Sequence, residues 1–382
     1  MFLLGKSLLF QIVVCLLLLQ IVLPAVGAQR LEPVDGDENG FRAVTISEGL
    51  EHPWSVAFLP DGRMLVTERP GRLRVIKDGK LDPRPVAGLP EITASGQGGL
   101  LDIVLHPDYQ QNGWLYFSYV AFGTGGMGTR VARARLDGMQ LHDLELLFQQ
   151  NIGSMSGRHF GSRLLFDREG FLYITVGERG DQRRAQRLND HAGSVIRLHD
   201  DGRIPQDNPF LSRADAAPEI FSYGHRNPQG IALHPQTGEV WLHEHGPQGG
   251  DELNIVRSGQ NYGWPVITYG VEYGIGTQIG EGTHKAGMVQ PIYYWVPSIA
   301  PSGMSFYDEE RFPQWRGSIF IGSLKFGLLT RLVLHDGEVV KEERLLRGRL
   351  GRIRDVRTGP DGLLYLLTDA SNGRLVRLEP EG

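Results

Sequence analysis

Trp54-Ser-Val-Ala-Phe-Leu-Pro-Asp-Gly62, followed at once by Arg-Met-Leu-Val-Thr67, joins two apolar, β-rich runs through a Pro-Asp-Gly turn. Alternation with a period of two marks strands, and Asp-Gly marks the tight connection between them. The phrase recurs. Leu101-Asp-Ile-Val-Leu-His-Pro-Asp108 leads through Gly113 into Trp114-Leu-Tyr-Phe-Ser118, and Ser162-Arg-Leu-Leu-Phe-Asp167 leads through Gly170 into Phe171-Leu-Tyr-Ile-Thr175. Gln229 to Pro235 with Gly238 and Glu239-Val-Trp-Leu242 is a fourth copy, and Gly303 to Tyr307 with Gly317 and Ser318 to Ile321 a looser fifth. Ile353 to Gly362 with Leu363-Leu-Tyr-Leu-Leu-Thr368 is the last.

The six turn glycines stand between 45 and 79 residues apart. No copy can bury both faces alone, so neighbours must stack, and closing the stack into a ring removes exposed edges. The fold class predicted is all-β, a six-bladed β-propeller, with residues 41–382 forming one domain. The strand near Phe41 to Ile46 is expected to complete the last blade. A two-domain sandwich fits such intervals poorly. Trp114, Tyr173, Trp241 and Tyr365 share one repeat position and read as core.

Composition agrees with a folded chain: 382 residues, 41% hydrophobic and 22% charged, which excludes disorder. The 51 glycines are roughly twice the usual ~7% share and follow no collagen period. A net charge of −5 gives no basic footprint for nucleic acid. Residues 1–28 read as a signal peptide: Lys6, an apolar run from Leu8 to Leu23, then Ala25-Val-Gly-Ala28 as the cleavage site. An uncleaved anchor is the alternative, and without it no stable membrane association is expected. Cys15, the one cysteine, falls inside this segment, so the exported chain has no disulfide. The expected location is periplasmic or secreted, as a monomer or homodimer, with 29–40 a short leader.

Insertions between repeats usually build the binding face, and here they hold the polar clusters. These include Gln97-Gly-Gly99, Ser156-Gly-Arg-His159-Phe-Gly161, Gly224-His-Arg226-Asn227-Pro-Gln229 and Glu244-His-Gly246-Pro247, continuing to Asp251-Glu252. Asn261-Tyr262-Gly-Trp264, Ser298 to Pro301, Gly322-Ser-Leu-Lys325 and Gly351-Arg352-Ile-Arg354 follow. His159 is either a base or a turn histidine capping a blade. Arg226 and Asn227 are either ligand-binding or part of an inter-blade bridge, and Gln97 is otherwise a turn residue. Arg352 and Arg354, two apart on an extended segment, face one side; together with Lys325 they bind an anion or form a solvated face. His243 and His245 alternate as zinc ligands can, yet no third ligand is near.

Taken together, Gly-His-Arg-Asn-Pro-Gln-Gly, Asn-Tyr-Gly-Trp-Pro and the Gly-Pro…Asp-Glu stretch resemble the soluble pyrroloquinoline-quinone (PQQ)-dependent sugar dehydrogenases. These are of the aldose or glucose dehydrogenase type with sorbosone dehydrogenase-like relatives, and the likeness runs over about residues 45 to 380. The resemblance implies a quinoprotein that oxidises the C1 hydroxyl of an aldose to a lactone and passes electrons to an external acceptor. It implies His159 as general base, with Arg226 beside the reacting carbonyl, and Gln97, Arg226, Asn227, Ser298, Lys325, Arg352 and Arg354 on PQQ. It implies Ca2+ at the carbonyls of Gly246 and Pro247, and a second Ca2+ at Glu252 and Tyr262. Two departures stand out: Arg158 occupies a position where the family commonly has an acid, and Ser298 replaces a threonine. The rival readings are a calcium-dependent lactonase propeller, which needs Glu, Asn and Asp side chains around a channel metal, and a non-catalytic propeller binding glycan or protein.

Overall fold

The structure, a computed structural model, describes residues 28–36 and 40–381. The predicted signal segment therefore lies outside the described residues except for Ala28, as does Cys15. Among the described residues no helix is long and apolar enough to cross a membrane.

The strands form six antiparallel sheets, one per sequence copy. Blade one runs Pro53–Phe58, Met64–Glu68, Arg72–Lys77 and Lys80–Leu81, from the inside outward. The inner strands of the next four blades are Leu100–Leu105, Leu164–Phe166, Pro228–Leu233 and Pro301–Tyr307. Blade six begins at Ile353–Thr358 and is completed from the other end of the chain, because Phe41–Leu50 pairs antiparallel with Gly373–Pro380. The expectation for Phe41 to Ile46 is met and the ring is fastened. Successive inner strands touch all the way round, with Ile353–Thr358 lying against Pro53–Phe58. The leader does more than expected: Val34–Asp35 adds a parallel edge strand to blade five against Glu338–Leu345.

Each blade interface is sealed by apolar side chains. Val56, Val66 and Ile76 of blade one meet Leu364, Leu366 and Leu378 of blade six in one core cluster. The four aromatic residues read as core, Trp114, Tyr173, Trp241 and Tyr365, are all buried.

The ring axis is polar. Arg163 lies there, 2% exposed, with Nη1 2.7 Å from Asp355 Oδ1 and 3.6 Å from Asp102 Oδ1. Arg357 meets the same two carboxylates at 3.0 and 2.6 Å. Ser55 Oγ donates to Asp102, Arg163 Nε donates to the Gln229 carbonyl, and Leu164 N–H donates to Asp102 Oδ2. Inner strands of blades one, two, three, four and six are thus joined by two cations and two anions. Blade five enters at Gly303, where a Cβ would sit 2.3 Å from Asp355 Oδ1.

Removing one partner of a buried ion pair costs about 3–5 kcal/mol, whereas an exposed pair is worth about 1 or less. Arg163→Met should therefore lower the calorimetric melting temperature far more than Arg42→Met, which deletes an exposed pair with Glu379. Equal effects would show that the axis does not hold the ring.

Candidate active site

Loops at one end of the ring enclose a cavity of about 510 Å³. Of the residues predicted for PQQ, Gln97, Asn227, Ser298, Lys325, Arg352 and Arg354 line it, as does Pro247. Trp54, Leu101 and Phe160 supply apolar wall. A second, smaller cavity of about 140 Å³ adjoins it, sharing Pro247 and Tyr273, and is lined by His159, Arg158, Glu178, Arg226 and Glu272. His159 and Arg226 thus stand beside the large cavity rather than in its wall.

Charge in the large cavity is lopsided. Arg69, Lys325, Arg352 and Arg354 face it with Asp369 as the single carboxylate, a surplus of three positive charges. Arg352 and Arg354 do share a side: Asp369 Oδ2 takes both, at 3.3 and 2.8 Å. These arginines and His52 hold the Asp369 carboxyl well below the usual range against the opposing effect of burial. Among the described residues no carboxylate pairs with Lys325. His245, absent from the predicted set, also lines the cavity; burial pushes its pKa down to about 3 and its Nε2 donates to the Pro301 carbonyl, so the ring is neutral.

His159 occupies a left-handed backbone position, φ 57°, and Ser162 follows at 78°. Non-glycine residues reach that region only when their surroundings impose it, and such strain gathers at functional sites. Gln97 Oε1 accepts from His159 N–H at 2.8 Å, Asn227 Oδ1 accepts from Gly161 N–H at 3.2 Å, and Thr175 O accepts from Ser162 N–H at 2.6 Å. Gln97 and Asn227 therefore hold the histidine loop with their oxygens, which leaves their amide nitrogens as available donors.

The imidazole Nδ1 lies 2.6 Å from Glu178 Oε2. An ionised carboxylate can only accept, so Nδ1 carries the proton and Nε2 is the basic nitrogen. Among the described residues nothing bonds Nε2. Burial, first, and then the charges of Arg226 and Arg158 push the His159 pKa below its ordinary value, while Glu178 opposes them. The ring is thus a neutral base near neutral pH. Glu178 was missed in the sequence, yet a signal existed. Second strands end in an acid at Glu68, Glu178, Glu244 and Asp369. Blade four repeats the dyad at the same sequence separation: His225 Nδ1 meets Glu244 Oε1 at 2.7 Å, but its Nε2 is tied to Ser222 Oγ.

The metal residues are only partly drawn together. Gly246, Glu252 and Tyr262 line one small cavity of about 10 Å³ with Glu244, while Pro247 faces the two larger ones. Glu252 is half-buried beside Glu244 and receives only a 3.4 Å bond from Asn254; desolvation, and then the Glu244 charge, push its carboxyl well above the usual range. The Gly246 carbonyl accepts from Arg226 Nη1 at 2.7 Å. Among the described residues no three His, Cys, Asp or Glu side chains converge as a metal cluster. His243 is buried with neither ring nitrogen bonded. The Ser298 hydroxyl is already engaged by Asp251 Oδ1 at 3.0 Å and by the Ala300 N–H.

The profile of the Glucose / Sorbosone dehydrogenase family matches residues 50–377. Aldose sugar dehydrogenase YliI of Escherichia coli is 46% identical over 340 residues, spanning 88% of this chain and 92% of that protein. A crystal structure of a glucose dehydrogenase superposes with a TM-score of 0.86 at 48% identity, covering 88% and 99% of the two chains. The PQQ-bound aldose sugar dehydrogenase of Streptomyces coelicolor does so at 0.74 and 28%, covering 91% and 100%.

Two of the charges acting on His159, those of Arg158 and Glu178, give opposite expectations. Arg158→Gln removes a positive charge, so the His159 pKa rises and the acid limb of kcat/KM moves to higher pH. Glu178→Gln removes the group that raises it, so the limb moves to lower pH while the rate falls as the tautomer is released. A pH–rate series in which neither variant moves the limb would detach this limb from His159.

Proposed function

Because the chain belongs to the glucose/sorbosone dehydrogenase family of sugar-oxidising enzymes, we propose that it oxidises the C1 hydroxyl of aldoses to lactones. PQQ is the electron acceptor and His159 the general base. The observation that carries this reading is the pairing of a cavity with three surplus positive charges and an adjoining neutral imidazole whose Nε2 has no partner among the described residues.

The cavity suits PQQ, which bears three carboxylates. Lys325, Arg352 and Arg354 would hold them, the arginines as forked donors. Asn227 and Gln97 would add amide N–H groups. When bound, the quinone supplies a two-electron acceptor for the hydride from C1, and Ca2+ beside it supplies Lewis-acid polarisation. His159 Nε2 removes the proton from the C1 oxygen as the carbonyl forms there. Glu178 keeps Nδ1 protonated and balances the charge the ring gains, the role a carboxylate plays behind any histidine base. Arg226 would stand where negative charge develops on oxygen.

Calcium fits the half-buried Glu252 carboxylate, which lacks strong donors and sits beside Glu244; Tyr262 would add its carbonyl. The Gly246–Pro247 turn offers carbonyls only, one of them already accepting from Arg226. Residues 1–28 would export the enzyme, and an external acceptor would reoxidise the cofactor. A lactonase reading is disfavoured by the axis, where arginines pair the carboxylates a channel metal would need.

Purified apoprotein titrated with PQQ and Ca2+ should gain aldose-dependent dye reduction. His159→Ala, equally loaded, should lose about 10²–10⁴ in kcat. Arg354→Ala should bind the quinone about 10–100-fold more weakly, as the loss of a charged hydrogen bond requires. Wild-type turnover in loaded His159→Ala would remove it as the base, and no dye reduction with any aldose would remove the function.

Chelation should stop turnover and lower the melting temperature separately. Glu252→Gln should depress melting more than low-temperature kcat, because an ion bound only by the folded form stabilises it by mass action. A calcium-stripped protein that still reduces dye and melts unchanged would end the calcium assignment.

A further inference from the structure

The residue after Glu178 has an environment that the reaction as derived does not explain. Arg179 is 1% exposed, and among the described residues no carboxylate pairs with it. Burying a guanidinium without a counter-ion is unfavourable, so its contacts must make up the difference. Nη1 donates to the Arg158 carbonyl, Nη2 to the Ser156 carbonyl at 2.7 Å and to Met127 O at 3.4 Å. The guanidinium lies 3.3 Å from the centre of the Phe160 ring. Arg179 thus grips the carbonyl immediately before His159 and the side chain immediately after it. Its own backbone is left-handed, φ 62°, so the strained turn that carries the base is locked against a second strained turn.

Arg184 offers a contrast. It too holds carbonyls of this loop, at Ile152 and Gly153, but is neutralised by Asp190 at 2.7 Å. Among the described residues Arg179 has no such ion pair and is held by carbonyl dipoles and an aromatic face, with the charge of Glu178 acting on it without a direct bond. Burial, with Arg184 nearby, lowers its pKa to about 9, so it remains charged at neutral pH.

We infer that Arg179 is a positioning residue for the reaction: Glu178 fixes the His159 ring, and Arg179 fixes the backbone that aims it. The inference rests on His159 being the base. Arg179 itself lines neither of these two cavities and reaches the larger one only through Phe160, so it acts through the loop.

The test compares Arg179→Gln and Arg179→Lys with the wild-type enzyme. In the apoprotein, ¹⁵N-resolved NMR should show the His159 Nδ1 proton held against exchange in wild type and lost to solvent exchange in Arg179→Gln. In the quinone-loaded enzyme Arg179→Gln should lose about 10²-fold in kcat, the size expected when a reacting group is misplaced by about 1 Å. Sugar KM should stay within about twofold of wild type, with kcat read at saturating quinone because Phe160, on which Arg179 stacks, lines the large cavity. Arg179→Lys, which keeps the charge but not the planar fork or the stacking, should fall between. A folded Arg179→Gln with an unchanged Nδ1 signal and unchanged kcat, whatever its melting temperature, overturns the inference. If Arg179→Gln does not fold, Arg179→Lys decides on the same two readouts. Loaded His159→Ala run alongside separates the failures. If it turns over normally, the base assignment falls, and this inference with it. If it is inactive while Arg179→Gln is normal, only this inference falls.

Discussion

The ion cluster around Arg163 is the constraint on which the other contacts depend. One guanidinium on the axis binds Asp355 and Asp102 through Nη1, the Gln229 carbonyl through Nε and the Arg354 carbonyl through Nη2. In a low-dielectric interior such charges are tolerable only when every partner is in place. The register of the inner strands is therefore fixed at the centre before any loop is considered. The cluster also lies directly beneath the site: the Arg354 that faces the cavity is held by its own carbonyl to Arg163, and Gln229, whose carbonyl meets Arg163, gives Arg354 its side-chain oxygen at 3.3 Å.

The site is made by varying one blade pattern. An acid at the end of the second strand recurs in several blades and collects a cation or histidine from the strands and loops packed around it. In blade one Glu68 takes Arg72 and Arg74, and in blade six Asp369 takes His52, Arg352 and Arg354. Blades three and four both pair a histidine with that acid. The two pairs differ by one bond: Ser222 occupies Nε2 of His225, and among the described residues nothing bonds Nε2 of His159. Tyr262 stacked on His225 at 4.5 Å completes the enclosure of the structural copy.

Blade number and closure could be read from the sequence because both rest on local pattern: turn glycines, alternating strands and a spare N-terminal strand. Three of the four cavity cations, Lys325, Arg352 and Arg354, were legible as charges in inter-blade insertions, whereas Arg69 was not. Glu178, Asp369, His245 and Arg179 were not. Each acts across loops or blades that meet only when the ring closes, and a carboxylate after a strand looks like an ordinary solvated turn. The recurrence at Glu68, Glu178, Glu244 and Asp369 was present but needed the repeat alignment extended past the strand ends. The role of Val34–Asp35 was equally hidden, since two residues are too short a run to show a strand's alternation.

The central claim is that hydride leaves C1 while His159 takes the hydroxyl proton. Anaerobic stopped-flow mixing of quinone-loaded enzyme with aldose deuterated at C1 tests it most directly, with the quinone absorbance followed through one turnover. The account predicts bleaching that is several-fold slower than with the protiated sugar, and slower again for both isotopologues in His159→Ala. Bleaching at the same rate for both sugars in the variant slowed at its base, or no bleaching with any aldose, would contradict it.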